Sequence, residues 1–230
     1  MTHFILPIRA GTSMVYFIEN GNQSILVDAG NKRQTNKIRK AIKKAGYDIT
    51  SVAAIILTHA HYDHVGCLAK LKELTGAKVY VHKNDYPAYP AGYSGLPDGT
   101  TKLFRMIVAF GRKFLKNLGA FEPVEPDVEI QNTYPLKELQ INAYMLPTPG
   151  HTRGSVSLVL EDTHAFIGDS AFNVFPGTIF PPFANYTDEL IRSWKILLDT
   201  GAKTFWPGHG NQFSREKLLK DYKRHIQGNF

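Results

Sequence analysis

The sequence predicts an α/β fold, a sandwich of two strand-rich halves with helices on the outside. Three observations predict it. Runs of strand length, short and apolar or alternating, recur in both halves of the chain. Between them lie segments with apolar residues at spacings of three and four, as amphipathic helices require. No Gly/Ser-rich linker or charge block divides the chain, so residues 1–230 read as one domain with a helical and loop insertion at 83–135. With 230 residues, 43% of them apolar, such a domain can bury a large core.

The elements follow in order. Met14–Glu19 and Gln23–Asp28 read as strands joined by the hairpin-type turn Asn20-Gly21-Asn22. Asn36–Ala45 reads as a helix ended by Gly46. Val52–Leu57 is a short apolar run, a buried strand. His64–Leu74 carries Val65, Leu68 and Leu71 at helical spacing, and Gly76 stops it. Lys78–His82 alternates like a strand, and 83–101, rich in Pro, Gly and Tyr, reads as a loop. Leu103–Leu118 is an amphipathic helix, with Leu103, Ile107, Phe110, Phe114 and Leu118 on one stripe. Leu139–Leu146, Ser155–Leu160 and Ala165–Gly168 are strands, Thr187–Asp199 a helix and Lys203–Trp206 a last short strand. Ser214–His225 closes the series as a helix with Ser214 at its N-cap.

Composition narrows the function classes. The longest apolar stretches, such as Ile55–Leu57, fall far short of the roughly 20 residues of a membrane span. Residues 1–20 lack a basic start followed by a long apolar stretch, so no secretory signal is expected. The single cysteine, Cys67, can form no disulfide within the chain, which fits a cytoplasmic location. Much of the net charge of +7 is local: Lys37, Arg39, Lys40, Lys43 and Lys44 share one predicted helix. That reads as a solvated face which can favour anionic substrates. The expected partner is a small molecule, with neither nucleic acid nor membrane.

The chemistry-bearing residues cluster. Of nine histidines, five lie in three short segments at predicted strand ends: Thr58–His64, Pro149-Gly150-His151 and Pro207-Gly208-His209. Gly168-Asp169-Ser170 adds a carboxylate. In an extended strand end His59 and His61 point the same way, because side chains repeat every two residues. Two imidazoles then converge on one ion. The chain turns into a helix near Asp63 and His64, aiming those side chains at a neighbouring point. Four ligand-type residues within six positions suit two adjacent ions better than one. Nitrogen and carboxylate ligands without thiolate suit zinc, and also iron or manganese. His3, His82, His164 and His225 lie in no such pattern and read as ordinary histidines.

The segment THAHYDHVG at Thr58–Gly66 resembles the signature of the metallo-β-lactamase superfamily. The likeness continues through LVDAG at 26–30, PGHTRGS at 149–155, GDS at 168–170 and PGHG at 207–210. It implies a four-layer αββα sandwich with two divalent ions, zinc above all, at one edge between the sheets. By that resemblance His59, His61 and His151 hold the first ion, Asp63, His64 and His209 the second, and Asp169 bridges them. The set is complete, unlike that of the zinc β-lactamases proper, and looks more like glyoxalase II and the N-acyl homoserine lactonases. The implied reaction is attack of a hydroxide, held between the ions, on an ester, lactone or thioester carbonyl. Asp63 is the candidate to steer the hydroxide and relay a proton. Asp28 is the candidate to fix a ligand histidine by hydrogen bond. Alternatives are a phosphodiesterase or nuclease of the same fold, a one-iron persulfide dioxygenase, and a non-catalytic binding protein.

Substrate choice points to two aromatic stretches. Residues 83–135 hold Tyr86, Tyr89, Tyr93, Phe104, Phe110, Phe114 and Phe121. Phe172–Tyr186 holds Phe175, Ile179, Phe180 and Phe183. Either can wall a pocket above the metals, fill the core or form a dimer interface; the pocket reading nominates Phe172, Phe180 and Phe183. Phe172 stands three residues after Asp169, where the lactonases carry tyrosine.

Overall fold

In the computed structural model, which describes residues 3–21, 23–115 and 117–228, the chain forms an αββα sandwich. Asn22 of the expected hairpin turn and Lys116 of the expected helix lie outside those residues. The first half runs β1 (Phe4–Ala10), β2 (Ser13–Glu19), β3 (Ser24–Val27), α1 (Thr35–Lys44), β4 (Val52–Ile56), α2 (Tyr62–Val65), α3 (Leu68–Thr75) and β5 (Lys78–His82). The stretch 83–135, expected as a helical and loop insertion, carries α4 (Ala88–Ala91) and α5 (Lys102–Phe114) and ends in the next two strands, one of each sheet. Then come β6 (Val128–Ile130), β7 (Tyr134–Pro135), β8 (Ala143–Pro147), β9 (Val156–Leu160), β10 (His164–Asn173), α6 (Thr187–Asp199), β11 (Thr204–Gly210), β12 (Phe213–Ser214) and α7 (Arg215–Ile226).

Among the described residues there are two six-stranded sheets, in the orders β1-β2-β3-β4-β5-β6 and β12-β11-β10-β9-β8-β7. Strand alternation explains the layers. Ile25 and Val27 of β3 and Ile56 of β4 face the second sheet, where they meet Met145, Leu158, Leu160 and Phe166. Leu26 and Ile55, one residue out of phase, face away and pack on Ile38 and Ile42 of α1 and Leu68 and Leu71 of α3. On the far side, Val159, Ala165, Ile167 and Phe205 pack on Leu190, Trp194 and Leu197 of α6 and Leu218 of α7. Central strands buried on both faces read as continuous apolar runs, and each such side chain contributes about 1.5–3 kcal/mol.

Some expectations shift. β1 escapes the pattern because Pro7 interrupts it; as the edge strand beside β2 it tolerates a residue without an N–H. The expected helix His64–Leu74 is two helices with a break at Gly66 and Cys67. A Cβ on Gly66 would lie 2.3 Å from the backbone nitrogen of Lys32 and 2.8 Å from the carbonyl oxygen of Gly30. The chain crosses there too closely for any side chain. The strand expected from Leu139 begins only at Ala143, after a 3-10 turn at Lys137–Leu139. β10 and β11 both run further than expected, through the GDS and PGHG segments. Ser214 is the N-cap of α7, yet its side chain makes no capping hydrogen bond. The stripe of α5 faces solvent instead of core: Leu103, Ile107, Phe110 and Phe114 are all exposed.

Candidate metal centre

The four motif segments meet at one edge of the sandwich, between the sheets. His59 and His61 lie in the loop after β4, and Asp63 and His64 in the short helix α2 that follows. The turn between β8 and β9 brings His151, β10 brings Asp169 just after a register shift at Gly168, and β11 brings His209. Ring centroids of His59 lie 4.7 Å from His61, 4.2 Å from His64 and 4.6 Å from His151; His64 lies 5.4 Å from His209.

Three groups could each hold a cation: His59, His61 and His151; Asp63, His64 and His209; and His59, His64 and Asp169. Within each group the ligand atoms lie within 4.8 Å of one another. All seven ligand-type residues nominated from the sequence are therefore together, and His3, His82, His164 and His225 belong to none of the groups found among the described residues. The buried atoms His59 Nε2, His64 Nε2 and Asp169 Oδ1 make no hydrogen bond. Two ring nitrogens, His61 Nδ1 and His151 Nε2, face each other at 2.7 Å. Buried polar atoms converging without donors to satisfy them fit a cation that accepts their lone pairs.

The other nitrogen of most rings is engaged. His64 Nδ1 donates to Asp28 Oδ2 at 2.8 Å, His209 Nδ1 to the Thr12 carbonyl at 3.0 Å, and His151 Nδ1 to the Phe183 carbonyl at 2.9 Å. His59 Nδ1 lies 3.1 Å from Thr58 Oγ1, whose own hydroxyl donates to Asp28. These partners leave Nε2 of all four rings facing inward. Asp28 does this from a positive φ of 63°, while also accepting the Thr58 amide at 2.8 Å. Such a backbone costs of order 1–3 kcal/mol and persists where the surroundings enforce it.

Electrostatics divides the site. Burial pushes His59 well below its ordinary value, with His64 and His151 adding to the effect; burial likewise lowers His151 and takes His61 to about 3. The other half is anionic. Burial opposes charge on His64 and His209, yet Asp169, Asp28 and Asp63 raise His64 well above its usual range, and Asp169 and Asp63 hold His209 at about 9. In return, and against burial, His64 and His209 bring Asp63 to about 2, while His209, His64 and His151 push Asp169 well below the carboxylate range. Neutral imidazoles stand ready to donate lone pairs on one side. On the other, carboxylates draw in positive charge, which a divalent cation can supply in place of protons.

Three supports, Asp85, Ser13 and Tyr16, carried no motif. Asp85, half-buried in the turn after β5, accepts hydrogen bonds from the Ala60 amide at 3.1 Å, the Thr152 hydroxyl at 2.8 Å and the Gly154 amide at 3.1 Å. It ties the His59–His61 loop to the His151 turn across the two sheets. Its only sequence signal is an acid in the polar stretch after a strand. On the opposite wall the Ser13 hydroxyl donates to the Asp63 carbonyl at 2.5 Å, and Tyr16 to the Pro207 carbonyl at 2.6 Å. Gly208 is sterically required: a Cβ there would lie 2.3 Å from Asp169 Oδ1 and 2.6 Å from His64 Cε1.

Above the cluster opens a cavity of about 480 Å³ with His61, Asp63, His151, Asp169 and His209 at its floor. Its walls are mostly apolar and include Phe104, Ile107, Phe110, Phe172, Phe175 and Phe183. The Phe172 ring stacks on His209 at 4.4 Å. Phe183 meets Phe104 edge-on at 5.2 Å. Phe180 does not line the cavity. Its ring stacks on His225 at 4.6 Å and meets Trp194 of α6, because the extended chain turns it to the opposite side from Phe183. Tyr89 and Phe121 from the insertion fill the core under α1 and α3.

A sequence profile of the Metallo-beta-lactamase superfamily matches residues 8–209. The probable metallo-hydrolase YqgX of Bacillus subtilis is 29% identical over 172 residues, covering 73% of this chain and 70% of that protein. Metallo-beta-lactamase family protein TTHA1429 of Thermus thermophilus superposes with a TM-score of 0.71 at 20% identity, over 98% of this chain and 79% of that one. TTHA1623, solved in a di-iron-bound form, superposes with a TM-score of 0.68 at 26% identity, over 94% of this chain and 98% of that one. With the profile spanning all seven ligand-type residues and the four layers in place, the chain belongs to the metallo-beta-lactamase superfamily.

Proposed function

We propose that this protein hydrolyses an ester, lactone or thioester whose acyl or ring portion is apolar, with two divalent ions, zinc first among them, at the His/Asp cluster. The observation that carries this reading is the convergence of seven ligand-type side chains, five of them at the floor of an apolar cavity. His59, His61 and His151 would hold one ion, Asp63, His64 and His209 the other, with Asp169 between them. When bound, such a pair supplies Lewis acidity and brings the pKa of water toward about 7.

The chain's own residues then have separable tasks. Asp63, whose Oδ2 lies 3.4 Å from both Thr12 Oγ1 and His209 Nε2, would orient water and take its proton. Phe104, Phe172 and Phe183 would seat the apolar part of the substrate and exclude water from the reacting bond. Asp28 would position His64, and Asp85 the two ligand loops. The buried Cys67, whose thiol donates to the Asn31 carbonyl at 2.9 Å, fits a reducing cytoplasm. No described helix is long and apolar enough to cross a membrane.

Elemental analysis of purified protein, run beside a panel of lactones, thioesters, phosphodiesters and β-lactams, tests the proposal. About two zinc per chain with ester or thioester turnover supports it; one iron per chain with oxygen uptake overturns the reaction class. A second reading keeps the hydrolysis and replaces zinc by iron, favoured by the di-iron-bound form of TTHA1623.

A further inference from the structure

Helix α5 leaves a face that the fold does not use. Val108 and Gly111 pack inward, while Leu103 is 62%, Met106 71% and Phe114 59% exposed. Ile107 and Phe110, also exposed, continue this face to the cavity mouth, and Val174 and Phe175 extend it on the other side. A contiguous apolar surface of this kind on a globular domain marks an interaction site. Its setting is basic. Residues 99–121 contain Lys102, Arg105, Arg112, Lys113 and Lys116, with no aspartate or glutamate. Arg112 pairs with Asp98 at 2.8 Å, and Arg105 Nε donates to the Gly99 carbonyl. Lys113 Nζ lies over the Phe114 ring, 5.3 Å from its centre, a cation held against the apolar face.

We propose that α5 docks the protein on an anionic membrane surface, with the mouth of the metal cavity opening toward the lipid. An apolar stripe bordered by cations matches the layered chemistry of a headgroup region over acyl chains. A bound acyl chain alone does not account for the face, because Leu103, Met106 and Phe114 lie outside the cavity. A symmetric contact between two copies through this face would set its lysines and arginines against their own counterparts. The inference departs from the expectation of no membrane partner. It is read as binding without turnover, so it stands or falls independently of the hydrolytic reading.

The test is cosedimentation of the purified full chain with vesicles of phosphatidylcholine plus phosphatidylglycerol, and with phosphatidylcholine alone. Binding is expected to the anionic vesicles, weakened by salt. Leu103→Ser, Met106→Ser and Phe114→Ser together are expected to weaken it about tenfold or more. Lys102→Ala and Lys113→Ala are expected to cost about fivefold each, and they leave the apolar face intact should the triple variant fail to fold. Failure to bind either vesicle, or equal binding to both, overturns the proposal. So does undiminished binding by any of the three variants that folds, or a wild-type dimer that the triple substitution turns into monomer, since the face would then belong to a second copy.

Discussion

His64 and Asp28 are joined through a 2.8 Å hydrogen bond that crosses from α2 to the end of β3, both side chains buried. The bond aims His64 Nε2 at the cluster and leaves Nδ1 no alternative partner. Asp28→Asn keeps the shape and exchanges an acceptor for an amide that can present either its oxygen or its NH2 group to the ring. Metal affinity is expected to fall about 10–100-fold with little change in fold. Competition with a chromophoric chelator measures it; unchanged affinity would contradict the role.

Asp85 predicts a different split. Asp85→Ala strands two backbone amides and a hydroxyl at a junction between the sheets. Each buried donor left unpaired costs about 1–3 kcal/mol, so urea unfolding should show a loss of about 3 kcal/mol or more. Metal retention should drop as well, because the His59–His61 loop and the His151 turn lose their tie. A stable variant with weak metal binding, or the reverse, would separate the two effects.

Phe183 and Phe180 are close in sequence and opposite in placement. Phe183→Ala enlarges the cavity beside His151 and should shift preference among substrates of different acyl length. Phe180→Ala removes a ring from the packing of α6 on α7 and should cost about 3 kcal/mol of stability, with selectivity unchanged. Kinetics on a chain-length series beside thermal melts distinguishes them.

The charge arrangement predicts a pH profile for chelated protein. His209, raised to about 9, stabilises the fold below its unfolded value of about 6.5; that contribution disappears as pH rises through about 9. His61, lowered to about 3, acts oppositely, since the unfolded chain takes up its proton first as pH falls from about 6.5. His64 follows His209 in direction, and His59 and His151 follow His61. Stability of the chelated chain should peak near pH 6.5 and decline on both sides. Urea midpoints across pH measure this, and a flat profile would count against the arrangement.

Much of this was legible in the residues. Lys78–His82 and Thr187–Asp199 carry clean periodicity and form the expected elements to the residue. The seven ligand-type residues were visible because four of them crowd into Thr58–His64 and the other three stand just past runs that read as strands. Asp85 was not, because one acid in a polar loop looks like any other until the chain places it between two sheets. Phe180 misled for a related reason: an aromatic near a site has no direction in sequence, and one residue's shift along an extended segment reverses it. The α5 stripe shows helical periodicity plainly, but periodicity names a face without saying what covers it.

The cluster draws its side chains from both sheets, from His59 to His209. Such a centre cannot be assembled piecemeal. A ribosome must release the β11 segment before the last contributor is free to swing in, and any ion captured earlier would sit in an incomplete and looser cage.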